Sequence, residues 1–175
     1  MKNILKLTAI LFSITAIVAA LLAGANMLTK ERIATAEEQK LQQAISEVLP
    51  GGESAQKIDY TIEGDSGVKV IYKNENGYAV QVETAGFGGT ITMMVGVSVD
   101  AKVLGVQIVS HSETPGLGAK AATDSAFRDS FIGLGAWVQV SKDGGEADTL
   151  TGATITSRAV ADGVSIALVA VKNLG

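Results

Sequence analysis

The stretch GYAVQVETAGFGGTITMMVGVSVDAKVLGVQIVS, residues 77–110, decides the fold. It contains three runs rich in Val, Ile, Thr and Tyr, at residues 78–84, 90–100 and 103–110. β-Branched and aromatic residues favour extended strands, and short connections between such runs favour hairpins. The stretch therefore predicts consecutive β-strands, two of them joined by a tight turn around Asp100-Ala101.

Further elements flank this stretch on both sides. Upstream, KVIYK at residues 69–73 predicts another strand, followed by a tight turn at residues 74–77. Downstream, residues 121–131 predict a short helix, WVQVSK at 137–142 predicts a strand, and residues 155–174 carry apolar side chains at helical spacing. The sequence thus predicts an α+β fold, with an antiparallel or mixed sheet and flanking helices.

The N-terminal part has a different character, because residues 7–28 form an apolar block without a charged side chain. As a helix, such a block is long enough to cross a hydrocarbon core of about 30 Å. We expect a transmembrane helix there, after a cytoplasmic N-terminus at residues 1–6. The alternative is a cleaved signal peptide, since two lysines precede the block and Ala23-Gly24-Ala25 has the small-x-small form that processing favours.

Two further segments complete the predicted organisation. Residues 29–50 have apolar residues at mainly helical spacing and predict a stalk helix, which Pro50-Gly51-Gly52 would stop. Residues 51–175 then form a single domain, which we expect on the extracytoplasmic side of the membrane.

Charge and composition exclude several functions. Lys2 and Lys6 precede the span, whereas all 18 acidic residues follow it, which leaves the rest of the chain with a formal charge of −6. Such a surface is unsuited to nucleic acid, which needs clustered basic residues. Cysteine is absent, which excludes disulfides, thiolate metal sites and a lipoprotein anchor. Any histidine-based metal site would have to use His111, the single histidine, and no metal site is predicted.

The segment DTLTGATITS, residues 148–157, crowds four threonines behind one aspartate just before the predicted C-terminal helix. One interpretation is structural, with Asp148 or Thr151 as the N-cap of that helix. The other is functional, because free N–H groups at a helix start attract phosphate, and Gly152 and Ala153 leave room for a bulky group. The residues alone leave both interpretations open.

A family resemblance favours the functional interpretation. Residues 148–154 match the signature D-x-x-[ST]-G-A-[ST], and both SETPGLG at 112–118 and the strands at 77–97 are similar to segments of the same family. This family comprises the FMN-binding domains of two proteins, the G subunit of the Rnf electron transport complex and the C subunit of the sodium-pumping NADH:quinone oxidoreductase. The chain length resembles the Rnf protein more closely.

The resemblance implies a covalent cofactor. FMN would be attached through a phosphoester to Thr154, while Asp148, Thr151, Gly152 and Ala153 complete the signature. Thr154 is a weak nucleophile with no obvious base beside it in the sequence, so self-modification is not expected. The family therefore implies a separate flavin transferase that uses FAD and Mg²⁺.

The loop at 112–118 provides further candidate residues for the cofactor. We expect Glu113 or Thr114 to hydrogen-bond the flavin and Leu117 to lie against its ring, while Gly116 and Gly118 allow close approach. The alternative is an ordinary turn. Residues 86–89 could form a second wall or simply a hairpin bulge.

Trp137 and His111 each allow two interpretations from the sequence. Trp137 could stack on the flavin or lie buried in the core. His111, at a predicted strand end beside the loop, is more typical of a structural than a catalytic histidine.

The resemblance implies a single-pass protein of the inner (cytoplasmic) membrane, with its domain on the periplasmic side, that relays electrons in an ion-translocating ferredoxin:NAD⁺ oxidoreductase. The other Rnf membrane and iron–sulfur subunits would be its partners, and no independent catalysis or catalytic residue is expected. Alternatives are a component like the C subunit of the quinone oxidoreductase and a non-redox, membrane-anchored adaptor. A hydrolase using Thr154 or Ser157 with His111 is disfavoured, since the sequence has no nucleophile elbow.

Overall fold

The computed structural model describes residues 2–59 and 67–174. Within these residues a long N-terminal helix is followed by five consecutive strands of one sheet and then by shorter helices and a C-terminal helix, so the predicted α+β fold is confirmed. The domain predicted at 51–175 includes residues 60–66 and 175, which lie outside the described residues. Two compact units are distinguished, one up to Lys40 and one from Leu41 onward.

The first helix, α1, runs without a break from Lys2 to Val48 and includes both the predicted span and most of the predicted stalk. Its apolar window is long enough to cross a membrane and contains no buried residue. The helix ends before a turn at Gly51, which has a φ of 68° that favours glycine. The side chains of Asn74 and Asn76 each donate a 2.9 Å hydrogen bond to the Pro50 carbonyl and fix this turn.

The sheet is an antiparallel meander in which each strand pairs with the next along the chain. Predicted strands and turns at residues 69–110 are confirmed with small shifts at their ends. The strands are β1 Gln56–Ile58, β2 Val68–Asn74, β3 Gly77–Ala85, β4 Thr90–Ser98 and β5 Val103–Ser110.

One face of the sheet is covered by the C-terminal helix, α4, which runs from Thr154 to Lys172 and lies against β3 and β4. The predicted helix at 155–174 is therefore confirmed. α4 is also long and apolar enough to cross a membrane, but 67% of its apolar window is buried. Val160 and Val164 of α4 pack with Val80 and Val95 of the strands in the main core. This arrangement fixes the position of the N-terminal end of α4.

The opposite face receives the last residues of α1. Ile45 and Val48 pack there with Ala79 and Met94, which alternate along their strands with residues that face α4. A Cβ atom on Gly96 would overlap the Val48 carbonyl, so this glycine lets the helix end approach the sheet. Covered on both faces, β3 and β4 have nearly continuous buried runs.

Two predicted elements differ from the structure. The helix predicted at 121–131 is two shorter helices, α2 Lys120–Thr123 and α3 Ser125–Asp129. Asp124 separates them in an extended conformation, and its side chain accepts a hydrogen bond from Phe127 N at 3.3 Å. Aspartate competes for backbone donors in this way and therefore favours a cap over a helix interior.

The strand predicted at 137–142 is wrong. Val138 and Val140 are buried and alternate with exposed neighbours, as the period-two pattern indicates. However, Val138 N donates to the Ser165 hydroxyl of α4, and Val140 forms only a bridge with Ala147. A short 3-10 helix, Ser141–Asp143, follows and ends at Gly144 with a φ of 87°. Buried and exposed side chains therefore alternate here, although the segment has no partner strand to make it part of a sheet.

Candidate functional site

The signature segment forms a tight turn that leads into α4. Ala153 N donates to Leu150 O at 3.0 Å, and Gly152 has a φ of 78°, the left-handed conformation that such a turn needs. Ala153 occupies the N-cap position without a side-chain cap, and Thr154 is the first helical residue. The alternative in which Asp148 or Thr151 caps the helix is therefore wrong.

A buried serine locks this turn onto the helix. Ser157 is fully buried, and its hydroxyl accepts a hydrogen bond from Leu150 N at 3.0 Å while donating to Ala153 O at 2.9 Å. Both backbone groups belong to the turn, so its geometry is fixed by the first turn of α4. From the sequence, Ser157 was considered only as a nucleophile of the disfavoured hydrolase. Its hydrogen bonds to the backbone of the turn could not be predicted.

Thr154 follows this turn directly, as the first residue of α4. Thr154 is half-buried, and its Oγ1 accepts a hydrogen bond from Lys142 Nζ at 3.1 Å. Lys142 belongs to the 3-10 helix that replaces the predicted strand. This lysine could not be predicted, because no motif or periodicity links positions 142 and 154.

The segment that carries Lys142 is held to the signature by threonine. Thr149 Oγ1 lies 3.0 Å from Ser141 Oγ and accepts a hydrogen bond from Lys142 N at 3.2 Å. Thr149 occupies a variable position of the signature, so its type gave no indication of this contact.

A second connection joins the same segment to α4. Arg158 donates to both carboxylate oxygens of Asp143, at 2.7 and 2.6 Å. This hydrogen-bonded guanidinium lowers the pKa of Asp143, and the carboxylate in turn raises the pKa of Arg158. Bidentate pairing of this kind adds geometric specificity.

The loop at 112–118 reaches the signature in space. Leu117 N donates to Thr114 O at 3.2 Å, and Gly116 between them has a φ of 77°. Leu117 is 46% exposed, and a Cβ atom on Gly152 would lie 3.2 Å from its side chain. Two segments predicted separately to bind the flavin are thus neighbours, with Thr114 exposed in the same loop.

Glu113 faces the interior of this arrangement. It is 6% exposed, and its carboxylate accepts hydrogen bonds from Gly88 N at 2.9 Å and from the Thr156 hydroxyl at 2.5 Å. A Cβ atom on Gly118 would overlap both this carboxylate and the Thr156 side chain. Glu113 therefore connects three segments, namely its own loop, the β3–β4 hairpin and the first turn of α4.

Residues 86–89 form the β3–β4 hairpin loop, in which Gly86 N donates to Gly89 O at 2.8 Å. A Cβ atom on Gly88 would overlap the backbone of Ser112, so the hairpin packs directly against the loop that contains Glu113. Phe87 is exposed at its tip. The pairing of β3 with β4 has no register shift, so this segment is a hairpin loop without the predicted bulge, and its role as a wall for the flavin stays a prediction.

Asp148 and His111 each make a contact with a neighbouring segment or loop. Asp148 is exposed, and its backbone N–H donates to the Ser130 hydroxyl at 3.0 Å. His111 Nδ1 accepts a hydrogen bond from Glu113 N at 3.2 Å, a structural contact.

Trp137 is 76% exposed, so the buried alternative is wrong. It lines a groove of about 520 Å³ with Leu168 and Lys172. Leu168 and Lys172 belong to the C-terminal half of α4, and Leu168 is about 21 Å along the helix axis from Thr154. The structure does not bring Trp137 and Thr154 together.

Comparison with known proteins agrees with this architecture. The FMN-binding domain family matches residues 86–169, the range that holds the hairpin, the loop and most of α4, and a family described as RnfG N-terminal region matches residues 1–48. A solved structure of the C subunit of Na⁺-translocating NADH-quinone reductase from Parabacteroides distasonis has a similar fold, with a TM-score of 0.52. It is 20% identical and covers 77% of this chain and 92% of its own. The chain is thus of the class that carries an FMN-binding domain.

Sequence relatives define the family more narrowly. The G subunit of the ion-translocating oxidoreductase complex of Methanosarcina acetivorans is 33% identical over 95% of this chain and 94% of the relative. The G subunit of the Na⁺-translocating ferredoxin:NAD⁺ oxidoreductase complex of Acetobacterium woodii is 32% identical over 99% of this chain and 94% of the relative. The chain belongs to the RnfG family, the G subunits of the ion-translocating oxidoreductase (Rnf) complexes.

Proposed function

We propose that this protein is a membrane-anchored electron-transfer subunit that holds FMN in phosphoester linkage to Thr154. The observation that supports this most directly is the position of Thr154, half-buried at the start of a 19-residue helix whose N-cap provides no side-chain cap. The first N–H groups of a helix have no partner within it, and they favour an anion. A hydroxyl in this position suits an esterified phosphate.

The side chains around Thr154 fit such a group. Lys142 Nζ provides a cation 3.1 Å from the hydroxyl oxygen. The turn before the helix exposes the Gly152 backbone, which offers no side-chain obstruction. Leu117, exposed beside this glycine, supplies apolar surface of the kind that a flavin ring contacts, and Thr114 of the same loop supplies an exposed hydroxyl.

The attachment itself requires a second protein. A flavin transferase with FAD and Mg²⁺ would transfer the FMN phosphoryl group to Thr154, with Asp148 as part of the recognised signature. The threonine oxygen gains the bond to phosphorus and loses its proton, the phosphoanhydride bond of FAD breaks, and AMP leaves. Covalent linkage prevents loss of the cofactor by dissociation.

FMN when bound would supply reversible electron transfer, while the protein contributes its position and electrostatic surroundings. The exposed apolar helix at residues 7–28 would anchor the chain as a single pass in the cytoplasmic membrane. The domain would then lie on the extracytoplasmic side. Partner subunits of the Rnf complex would donate and accept the electrons, and the chain would have no independent catalytic activity.

Coexpression with a flavin transferase tests this proposal. We expect the intact mass to rise by that of FMN less water, and the protein band to fluoresce on a denaturing gel. Thr154→Ala should abolish both signals, whereas Thr123→Ala, an exposed threonine outside the signature, should keep them. Asp148→Ala should reduce the flavin yield without changing the circular dichroism spectrum. Unmodified wild-type protein in the presence of active transferase would contradict the proposal.

A further inference from the structure

We propose that Lys142 is the cationic partner of the phosphate on Thr154, an inference that rests on the proposed function. In the structure the Lys142 ammonium donates directly to the oxygen that would be esterified, at 3.1 Å. A phosphodiester keeps one negative charge, and the ammonium lies where that charge would form. Lys142 is outside the signature and would act as an anion-binding residue.

The position of Lys142 is built by neighbouring contacts. On one side, Thr149 binds both the Ser141 hydroxyl and the Lys142 backbone N–H. On the other side, Asp143 is held by Arg158 of α4 through two hydrogen bonds. A lysine on a free loop would lose more conformational entropy on pairing with an anion than one on a segment fixed at both ends.

The surrounding charges also favour this role. Asp143 accepts hydrogen bonds from Arg158 on both carboxylate oxygens, whereas the Lys142 ammonium donates to Thr154. Beyond the span the chain has an excess of six acidic residues, so a further anion on this domain needs a local counter-charge. Lys142 supplies that charge at the attachment oxygen.

Lys142 need not take up or release a proton in the attachment. The Thr154 hydroxyl proton is removed outside this chain, the threonine oxygen bonds to phosphorus, and AMP leaves from FAD as described above. The ammonium stays charged before and after the transfer. Its expected effect is therefore electrostatic, both on the rate at which the negative charge forms at Thr154 and on the surroundings of the linked phosphate.

The test uses the full chain in mild detergent with purified transferase, FAD and Mg²⁺. Intact mass follows FMN attachment over time for the wild type, Lys142→Gln, Lys142→Arg and Lys172→Gln. The last is a matched control, because it removes the same charge at the opposite end of α4. We expect Lys142→Gln to be modified roughly two- to fivefold more slowly, the range that exposed ion pairs span. Lys142→Arg should recover part of the rate, and Lys172→Gln should equal the wild type.

A second measurement excludes an effect on transferase recognition alone. The ³¹P NMR resonance of the purified, modified protein should move in Lys142→Gln and stay unchanged in Lys172→Gln. If Lys142→Gln folds but is never modified, modification of Lys142→Arg decides, because its recovery shows that a cation is needed at this position. Wild-type rate and resonance in Lys142→Gln, an equal effect in both glutamine variants, or no recovery with arginine would overturn the inference. An unmodified wild type would instead refute the proposed function.

Discussion

Replacing Glu113 by alanine should destabilise the compact unit, because this carboxylate joins three segments around the candidate site. The change removes the acceptor of both the Gly88 N–H and the Thr156 hydroxyl. Glu113 itself is 6% exposed, so the alanine variant leaves a space next to polar groups that formerly had partners.

The expected loss follows from the burial of the two donors. An unsatisfied buried donor costs about 1–3 kcal/mol. Thr156 is 1% exposed, which places its hydroxyl near the upper value, whereas Gly88 is exposed and water can replace part of its lost bond. We therefore expect Glu113→Ala to lower the free energy of unfolding by about 2–4 kcal/mol.

Urea unfolding of the full chain in mild nonionic detergent, followed by far-UV circular dichroism, measures this loss. Glu113→Gln is the matched control, because it keeps the side-chain volume and an acceptor oxygen for Gly88, and it should cost about 1 kcal/mol or less. An alanine variant within about 0.5 kcal/mol of the wild type would refute the reasoning, as would a glutamine variant that is equally destabilised.

Two more predictions concern packing and pH. Gly96→Ala would drive its Cβ into the Val48 carbonyl and should lower the free energy of unfolding by about 1–3 kcal/mol in the same urea assay. Gly105→Ala is the control, and it should cost less because the nearest contact of its Cβ is at 3.3 Å. Equal losses in the two variants would contradict this account. Arg158 lowers the pKa of Asp143, so their pair stabilises the fold above the ordinary carboxylate pKa, and this contribution disappears as the pH falls through the lowered value. The Tm of the wild type should therefore exceed that of Asp143→Asn at pH 7, and this difference should vanish in strong acid. A difference that grows on acidification would show that the Asp143–Arg158 pair does not cause it.

Much of the fold could be predicted, because hydrophobic periodicity is a local property of the chain. The strands at 69–110 and the helix that begins near Thr154 follow directly from their patterns. The predicted strand at 137–142 was wrong because alternate burial does not specify a hydrogen-bonding partner. Its backbone is instead paired with the side chain of Ser165, 27 positions away from Val138.

The candidate site could be predicted only in part. The signature indicated Thr154, and the structure brings the predicted loop residue Leu117 next to Gly152 of the same signature. Lys142 carried no signal, because an exposed lysine in a polar turn is common and its contact depends on where that turn packs. The inward direction of Glu113 was equally hidden, since its partner Thr156 lies 43 positions away.

By itself, then, the sequence determined which segments are apolar helix, which are strand and which threonine matches the signature, because these properties depend on neighbouring residues. Only the tertiary structure decided that Glu113 ties the hairpin to α4 and that Lys142 meets Thr154. Such contacts arise when the sheet and α4 pack together, and they depend on distances across the fold that local spacing does not encode.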